Sequence, residues 1–180
     1  MSKPGGGFRL EFAGLKEGKH TFAYVLGAEF MELFPETDAF CEPEVQVGLE
    51  LEKQERMMLL SFRFNGTAGT YCDRCLNPLR FKVELEENII VKAASASDTD
   101  AQDGENLWWV SEKDTFIDLA PYFYETIALS RPLQVFCPED DNGNPTCDPA
   151  MLDLYGQPTA HQEEETDPRW DALKSLKNRI

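Results

Sequence analysis

Apolar and polar residues alternate along much of the first half of the chain. The pattern holds in EVQVGLELEK (44–53), MMLLSFRF (57–64), TAGTYC (67–72) and LRFKVELEENIIVKA (79–93). A period of two places successive side chains on opposite faces of a β-strand. The Asn-Gly pair at 65–66, between two of these runs, is typical of a two-residue hairpin turn. We therefore predict an antiparallel meander.

Shorter runs on either side of the meander predict further elements. FRLEFAGL (8–15) and HTFAYVL (20–26) flank the turn-like KEGK, which predicts an opening hairpin. AEFMELF (28–34) is followed by a proline and is typical of a short helix. LWWV (107–110) predicts one more strand.

Two later segments carry helix signals. Asp118 offers an N-cap for a helix that ends before Pro132. The apolar face of this helix comprises Leu119, Phe123 and Ile127. Near the end of the chain, Asp167 and Pro168 supply an N-cap and a first-turn proline for a second helix. Its apolar residues are Trp170, Leu173, Leu176 and Ile180.

These elements predict an α+β fold. We expect an antiparallel sheet, curled or barrel-like, with two or three helices and a flexible acidic C-terminal segment. Residues 1–137 would form a single α+β domain with a mobile polar loop at 94–106. Residues 138–168 would form the acidic flexible segment, and residues 167–180 the C-terminal helix.

Charge narrows the range of partners. The formal net charge is -16, and such a surface repels the phosphate backbone of naked nucleic acid while attracting basic proteins. Acidic residues dominate 138–168, whereas the closing residues 169–180 are basic. The same charge also contributes simply to solubility, which is the less specific interpretation.

The compartment follows from the apolar runs and the cysteines. The start of the chain lacks a signal-peptide pattern, and no apolar run is long enough to span a bilayer. The five cysteines are an odd number, which argues against a disulfide framework. We expect a cytoplasmic protein whose cysteines are thiols or metal thiolates, with no membrane contact.

The most specific candidate chemistry is the CDRC stretch. Cys72 and Cys75 follow a predicted strand, and the next strand begins almost at once, so the pair lies at a hairpin tip. Redox-active CxxC pairs sit instead at a helix N-terminus. Metal-binding knuckles present two thiolates around such a tight turn, and zinc then needs two more ligands. Cys137 and Cys147 could supply them.

The spacing of the second pair keeps three interpretations open. Nine residues lie between Cys137 and Cys147, where compact zinc sites have two to four. The four cysteines could hold a structural zinc ion, remain ordinary reduced thiols, or include a redox pair at Cys72 and Cys75.

Other catalytic signals are absent from the sequence. His20 and His161 have no motif partner that would make either a general base. Glu125 is interpreted as part of a solvated helix face. No phosphate-binding loop, HExxH motif or paired catalytic carboxylate motif occurs. The sequence therefore predicts no enzymatic activity and no small-molecule substrate.

Three ordered motifs together resemble a known family. They are CDRCLNPLRFKVELEE, IDLAPYFYETIALSRPLQVFC and DPRWDALKSLK. This combination closely resembles the bacterial YceD family of large ribosomal RNA subunit accumulation proteins. The positions that carry the resemblance are Cys72, Arg74, Cys75, Asp118, Leu119, Glu125, Pro132, Asp167, Pro168, Arg169, Leu173 and Leu176. Cysteine-rich family members have a denser cysteine set after the helix than this chain has.

The resemblance implies a ribosome biogenesis factor. Such a factor would support the synthesis, processing or stability of 23S rRNA and the assembly of the large subunit. Its partners would be the pre-50S particle and, within it, 23S rRNA, a basic ribosomal protein or both. The alternative is a protein-binding or chaperone-like factor for a ribosomal protein, without RNA contact. Candidate contact residues are Arg74, Arg80, Lys82, Arg169, Lys174 and Lys177.

Overall fold

The computed structural model describes residues 7–36, 38–94, 106–111 and 113–156. The described strands are β1 (Arg9–Glu11), β2 (Gly18–Leu26), β3 (Cys41–Lys53), β4 (Met57–Tyr71), β5 (Pro78–Ala94), β6 (Leu107–Ser111) and β7 (Phe116–Asp118). The described helices are α1 (Ala28–Met31), α2 (Ala120–Ser130) and α3 (Pro149–Gly156). The α+β prediction is confirmed. None of these helices has the length and apolar character that crossing a membrane requires.

The main sheet has five strands in the order β2-β3-β4-β5-β6. Strands β2 to β5 form an antiparallel meander, and β6 pairs with β5 in parallel. The sheet is open, with β2 and β6 at its edges. Alternation determines its two faces: along β3, Val45, Val47, Leu49 and Leu51 are buried, and the residues between them are exposed.

The predicted hairpin turn at Asn65 and Gly66 is wrong. Both residues lie inside the uninterrupted strand β4, where Gly66 pairs with Val45 on one side and Val83 on the other. A Cβ atom at Gly66 would lie 2.1 Å from the carbonyl oxygen of Glu44. Glycine is required here because the backbone of β3 approaches closely, not because the chain turns.

The predicted opening hairpin is also wrong. β1 pairs antiparallel with β7 in a separate two-stranded sheet, and β2 pairs with β3. Leu10 of β1 is fully buried in the core. The segment that leaves β1 is fixed by Lys53, whose Nζ donates to the carbonyl oxygens of Phe12 and Leu15, both at 2.9 Å. Pairing with the distant strand β7 and burial of Leu10 therefore outweigh the local sequence pattern that predicted a hairpin.

Helix α2 covers the inner face of the main sheet. Its Phe123 and Ile127 are fully buried, and the Phe123 ring meets Phe62 and Phe64 of β4 edge-on. The helix begins at Ala120 with Leu119 as N-cap, one residue after the predicted cap. Asp118 still accepts a hydrogen bond from the Ala120 N–H at 3.1 Å.

Several predicted features fall partly or wholly outside the described residues. These are most of the loop at 94–106, residues 157–168 of the acidic segment, and the whole C-terminal helix at 167–180. Residues 138–156 form a closed loop followed by α3, a helix that the sequence pattern did not predict.

Candidate metal centre

Cys72 and Cys75 lie on the turn that joins β4 to β5. Tyr71 and Pro78 are the last paired residues of the two strands, so the pair occupies the predicted hairpin tip. The Cys72 N–H donates to the carbonyl oxygen of Asn77 at 2.9 Å. The Leu76 N–H donates back to the Cys72 carbonyl oxygen at 3.0 Å, and Leu76 has a positive φ of 60°. These bonds form a tight knuckle.

A second loop brings Cys137 and Cys147 together despite their spacing. The Pro138 carbonyl oxygen accepts from the Thr146 N–H at 3.0 Å and from its hydroxyl at 2.7 Å. Within the loop, Asp140 Oδ1 accepts from the N–H groups of Asn142 and Asn144. The nine residues between Cys137 and Cys147 thus form a loop closed by hydrogen bonds. The wide spacing of the two cysteines therefore does not keep them apart.

The four cysteines meet in one buried cluster. The Sγ atoms of Cys72 and Cys147 are 3.8 Å apart, and those of Cys75 and Cys137 are 3.5 Å apart. All four sulfurs lie within 4.8 Å of one another, and every side chain is buried. Four sulfurs around zinc at the usual bond length of about 2.3 Å would be about 3.8 Å apart. The donor set therefore fits a tetrahedral zinc ion.

The middle residues of CDRC hold the second loop in register. The Asp73 N–H donates to the Val135 carbonyl oxygen at 2.8 Å, and the Val135 N–H donates to Asp73 Oδ2 at 2.7 Å. The Arg74 guanidinium lies 4.1 Å from the centre of the Phe136 ring. With Cys75 next to Cys137, residues 73–75 match residues 135–137 one by one. We call these contacts the clamp.

Arg131, just after α2, extends the clamp into the domain. Its Nη2 donates to Asp73 Oδ1 at 3.0 Å, and its Nε donates to Thr70 Oγ1 at 2.9 Å. The Val135 N–H and the Arg131 charge lower the pKa of Asp73, so this carboxylate stays ionised. No sequence pattern indicates this role, since Asp73 and Arg131 are 58 positions apart in the chain.

The electrostatics at the cysteines differ between the two pairs. Burial disfavours the thiolate of Cys72, but backbone N–H groups of Cys75, Arg74 and Cys137 lower its pKa overall. Burial raises the pKa of Cys137. The knuckle therefore supplies the thiolate form that a metal ion requires, and a cation would be needed to hold all four thiolates together.

Apolar side chains shield the cluster. Leu79 of β5 and Met151 and Leu152 of α3 pack against the four cysteines. Helix α3 begins beside Cys147, where Asp148 Oδ1 accepts from the Ala150 N–H at 2.9 Å. Four protein ligands leave no open coordination position, so a metal bound here would be structural. The turn geometry also separates Cys72 and Cys75 from redox pairs at helix N-termini.

Three of the predicted basic contact residues, Arg74, Arg80 and Lys82, lie in the described part of the chain. Arg74 belongs to the clamp, whereas Arg80 and Lys82 lie on the exposed outer face of β5. Arg80 donates to Thr67 and lies 3.5 Å from Glu44, and Lys82 pairs with Glu84. Arg169, Lys174 and Lys177 lie outside the described residues.

Comparison with known proteins decides the family. A family model described as Large ribosomal RNA subunit accumulation protein YceD matches residues 60–177. The chain belongs to the YceD family. The match includes all four clustered cysteines and confirms the resemblance. The family name implies a role in accumulation of large-subunit ribosomal RNA. Searches of curated proteins and of solved structures find no match to this YceD-family chain.

Proposed function

We propose that the chain is a non-enzymatic ribosome biogenesis factor in the cytoplasm. It supports the synthesis, processing or stability of 23S rRNA and thereby the assembly of the large subunit. The observation that carries this proposal is the family match, which extends from β4 through the metal centre and beyond. His20, the histidine in the described part of the chain, contacts the Lys16 carbonyl oxygen at 2.8 Å, an arrangement without a catalytic partner.

The metal centre has a structural role in this proposal. Cys72, Cys75, Cys137 and Cys147 would hold zinc, and the bound ion would supply a cross-link rather than a reactive group. The link joins the hairpin tip of the main sheet to the arm, which we define as residues 131–156. The arm would then present a fixed surface to the pre-50S particle.

A protein partner is the second candidate for the direct contact. Arg80 and Lys82 are paired with neighbouring carboxylates, and the whole chain carries a net charge of -16. Both features weaken binding to RNA phosphates and favour a basic ribosomal protein. The factor would then act on 23S rRNA through a large-subunit protein, without touching the RNA itself.

The test of the proposed function is made in cells that lack the chain. We expect the ratio of 23S to 16S rRNA to fall and to be restored by the wild-type gene. A gene carrying Cys72→Ser and Cys75→Ser should restore it poorly, whereas Cys41→Ser, outside the cluster, should restore it fully. An unchanged ratio in the deleted cells would contradict the proposal.

Direct contact is tested separately by crosslinking. Ultraviolet crosslinking in cells recovers 23S fragments with the chain if it touches RNA. Purification in high salt recovers one ribosomal protein instead if the contact is with protein, since such a complex need not depend on phosphate contacts.

A further inference from the structure

A pocket that none of the cysteines lines lies between the edge strand β6, strand β7 and helix α2. Its volume is about 370 Å³, and its aromatic walls are Trp108, Trp109 and Tyr122. The Trp108 ring meets Tyr122 edge-on, with ring centres 5.0 Å apart. Asp118 of β7 and Glu125 of α2 also line the pocket, together with Val110, Ile117 and Pro121. We call this feature the aromatic pocket.

The charge of the aromatic pocket is entirely negative. Asp118 and Glu125 are both exposed, and among the described residues no lysine or arginine lines the pocket. Within the described part of the chain, Glu125 has no hydrogen-bond or ion-pair partner to neutralise it. Tyr122 donates its hydroxyl to Glu87 at 2.7 Å, which places a third carboxylate beside the wall. A cation is the guest that this potential attracts.

The aromatic side chains of the pocket favour a planar cation. We propose that the aromatic pocket binds an arginine side chain of a basic polypeptide. A guanidinium group is planar, stacks on indole faces and donates several N–H bonds in a fixed fork, so it can contact a tryptophan and a carboxylate together. An ammonium group lacks the planar face. The indole N–H of Trp109 is buried and has no acceptor among the described residues.

The aromatic pocket would thus bind a basic protein partner. Only the biological role of that partner rests on the proposed function. The net charge of -16 and the acidic lining both complement a basic segment. The pocket lies on strand β6 and helix α2, apart from the clamp and the cysteine cluster. Loss of metal is therefore expected to leave arginine binding unchanged.

The binding test uses a hexa-arginine peptide and the full chain at physiological salt. The double variant Asp118→Asn with Glu125→Gln should bind the peptide at least tenfold more weakly. Asparagine keeps the oxygen that accepts the Ala120 N–H, so α2 keeps its cap. The matched control, Glu17→Gln with Glu36→Gln, removes the same charge from exposed positions elsewhere and should bind within twofold of wild type.

Two results would overturn the proposed site, and a third would overturn its assignment to a guanidinium group. One is equal weakening in both double variants, which would show general charge attraction only. The other is the absence of any shift in the indole N–H signals of Trp108 and Trp109 when peptide is added to nitrogen-15-labelled chain. Hexa-lysine should bind at least fivefold more weakly than hexa-arginine, and equal affinity would overturn the guanidinium assignment. None of these results depends on rRNA levels, which test the proposed function.

Discussion

Asp73 connects the two halves of the metal centre at the scale of a single residue. Its N–H and one carboxylate oxygen bond both backbone groups of Val135, and its other oxygen bonds Arg131. These contacts place Cys137 beside Cys75. The residue between two candidate ligands therefore positions a third candidate ligand.

Replacing Asp73 by alanine should weaken metal binding. We expect roughly a tenfold to hundredfold loss of zinc affinity, because supporting contacts around metal ligands have effects of this size. Competition with a chromophoric chelator measures the affinity. Asp141→Ala removes an equal charge from the neighbouring loop and should change the affinity little. Equal losses in the two variants would show that charge, not the clamp, is responsible.

Tyr24 provides a second prediction for a single residue. Its hydroxyl is buried and has no hydrogen-bond partner in the described part of the chain, and burial raises its pKa to about 12. Tyr24→Phe should leave stability at neutral pH unchanged or raise it by about 1–3 kcal/mol, the usual penalty for such a group. Urea denaturation measures the difference. A clear loss of stability would mean that the hydroxyl has a bonding role.

The pH dependence of the same residue has a definite sign. The folded-state pKa of Tyr24 lies above the ordinary value of 10.0. The contribution of this residue to the free energy of unfolding is therefore fully present below about pH 10. It is lost as the pH rises towards 12, because the unfolded chain ionises first. The phenylalanine variant should lose less stability over this window than the wild-type chain loses.

Sequence alone identified the four clustered cysteines as candidate ligands but not the residues that support them. Cysteine is rare and chemically specific, so Cys72, Cys75, Cys137 and Cys147 could be selected as candidates. Asp73 and Arg131 belong to common residue types, and no periodic pattern connects positions so far apart. The chain fold alone makes them neighbours.

At the scale of elements, close contact between β3 and β4 depends on Gly66. A Cβ atom there would lie 2.1 Å from Glu44 O and 2.7 Å from Val45 Cα. Because both atoms belong to the backbone, a strand must move to admit it. Gly66→Ala should lower the free energy of unfolding by about 1–3 kcal/mol, the usual range for overpacking.

Gly48 offers the matched control within the same sheet. A Cβ at Gly48 would meet nothing within 4 Å, so Gly48→Ala should be neutral or raise stability by about 0.4–1 kcal/mol. Chemical denaturation of the two variants side by side provides the comparison. A Gly66→Ala chain as stable as wild type would show that β3 shifts without penalty.

Elements with strong alternation were predicted correctly, and those with ambiguous local signals were not. The strands β3 and β5 follow directly from their patterns. The Asn-Gly pair misled because glycine serves both turns and close backbone approaches. β1 was assigned to a local hairpin because its true partner, β7, lies about a hundred residues later in the chain. Helix α3 is short and lacks a strong apolar face, so no pattern marked it.

At the scale of the whole molecule, metal removal should free the arm and spare the sheet. The arm contacts the domain through the clamp and the cysteine cluster, whereas the sheet has its own buried core. After treatment with a chelator, hydrogen exchange should accelerate in residues 135–156 and stay slow in β3 and β4. Faster exchange throughout the sheet would contradict a purely local role for the metal.

Thiol titration checks the same prediction with an internal control. Cys41 is partly exposed and lies outside the cluster, so the metal-loaded chain should show one reactive thiol. All five cysteines should react after chelation and mild denaturation. Elemental analysis should find one zinc ion for each chain. Five reactive thiols in untreated, zinc-free protein would leave the cluster as ordinary reduced cysteines.

The wide separation of the ligands along the chain also has a consequence for protein synthesis. The meander from β2 to β5 needs only residues up to Ala94, so it can form on an emerging chain. β1 must wait for β7, and the knuckle must wait until Cys147 has been made. At about 5–20 residues per second, Cys72 and Cys75 spend several seconds as unpaired thiols in every nascent chain. The four-cysteine cluster can thus form only in a polypeptide whose translation has passed α2.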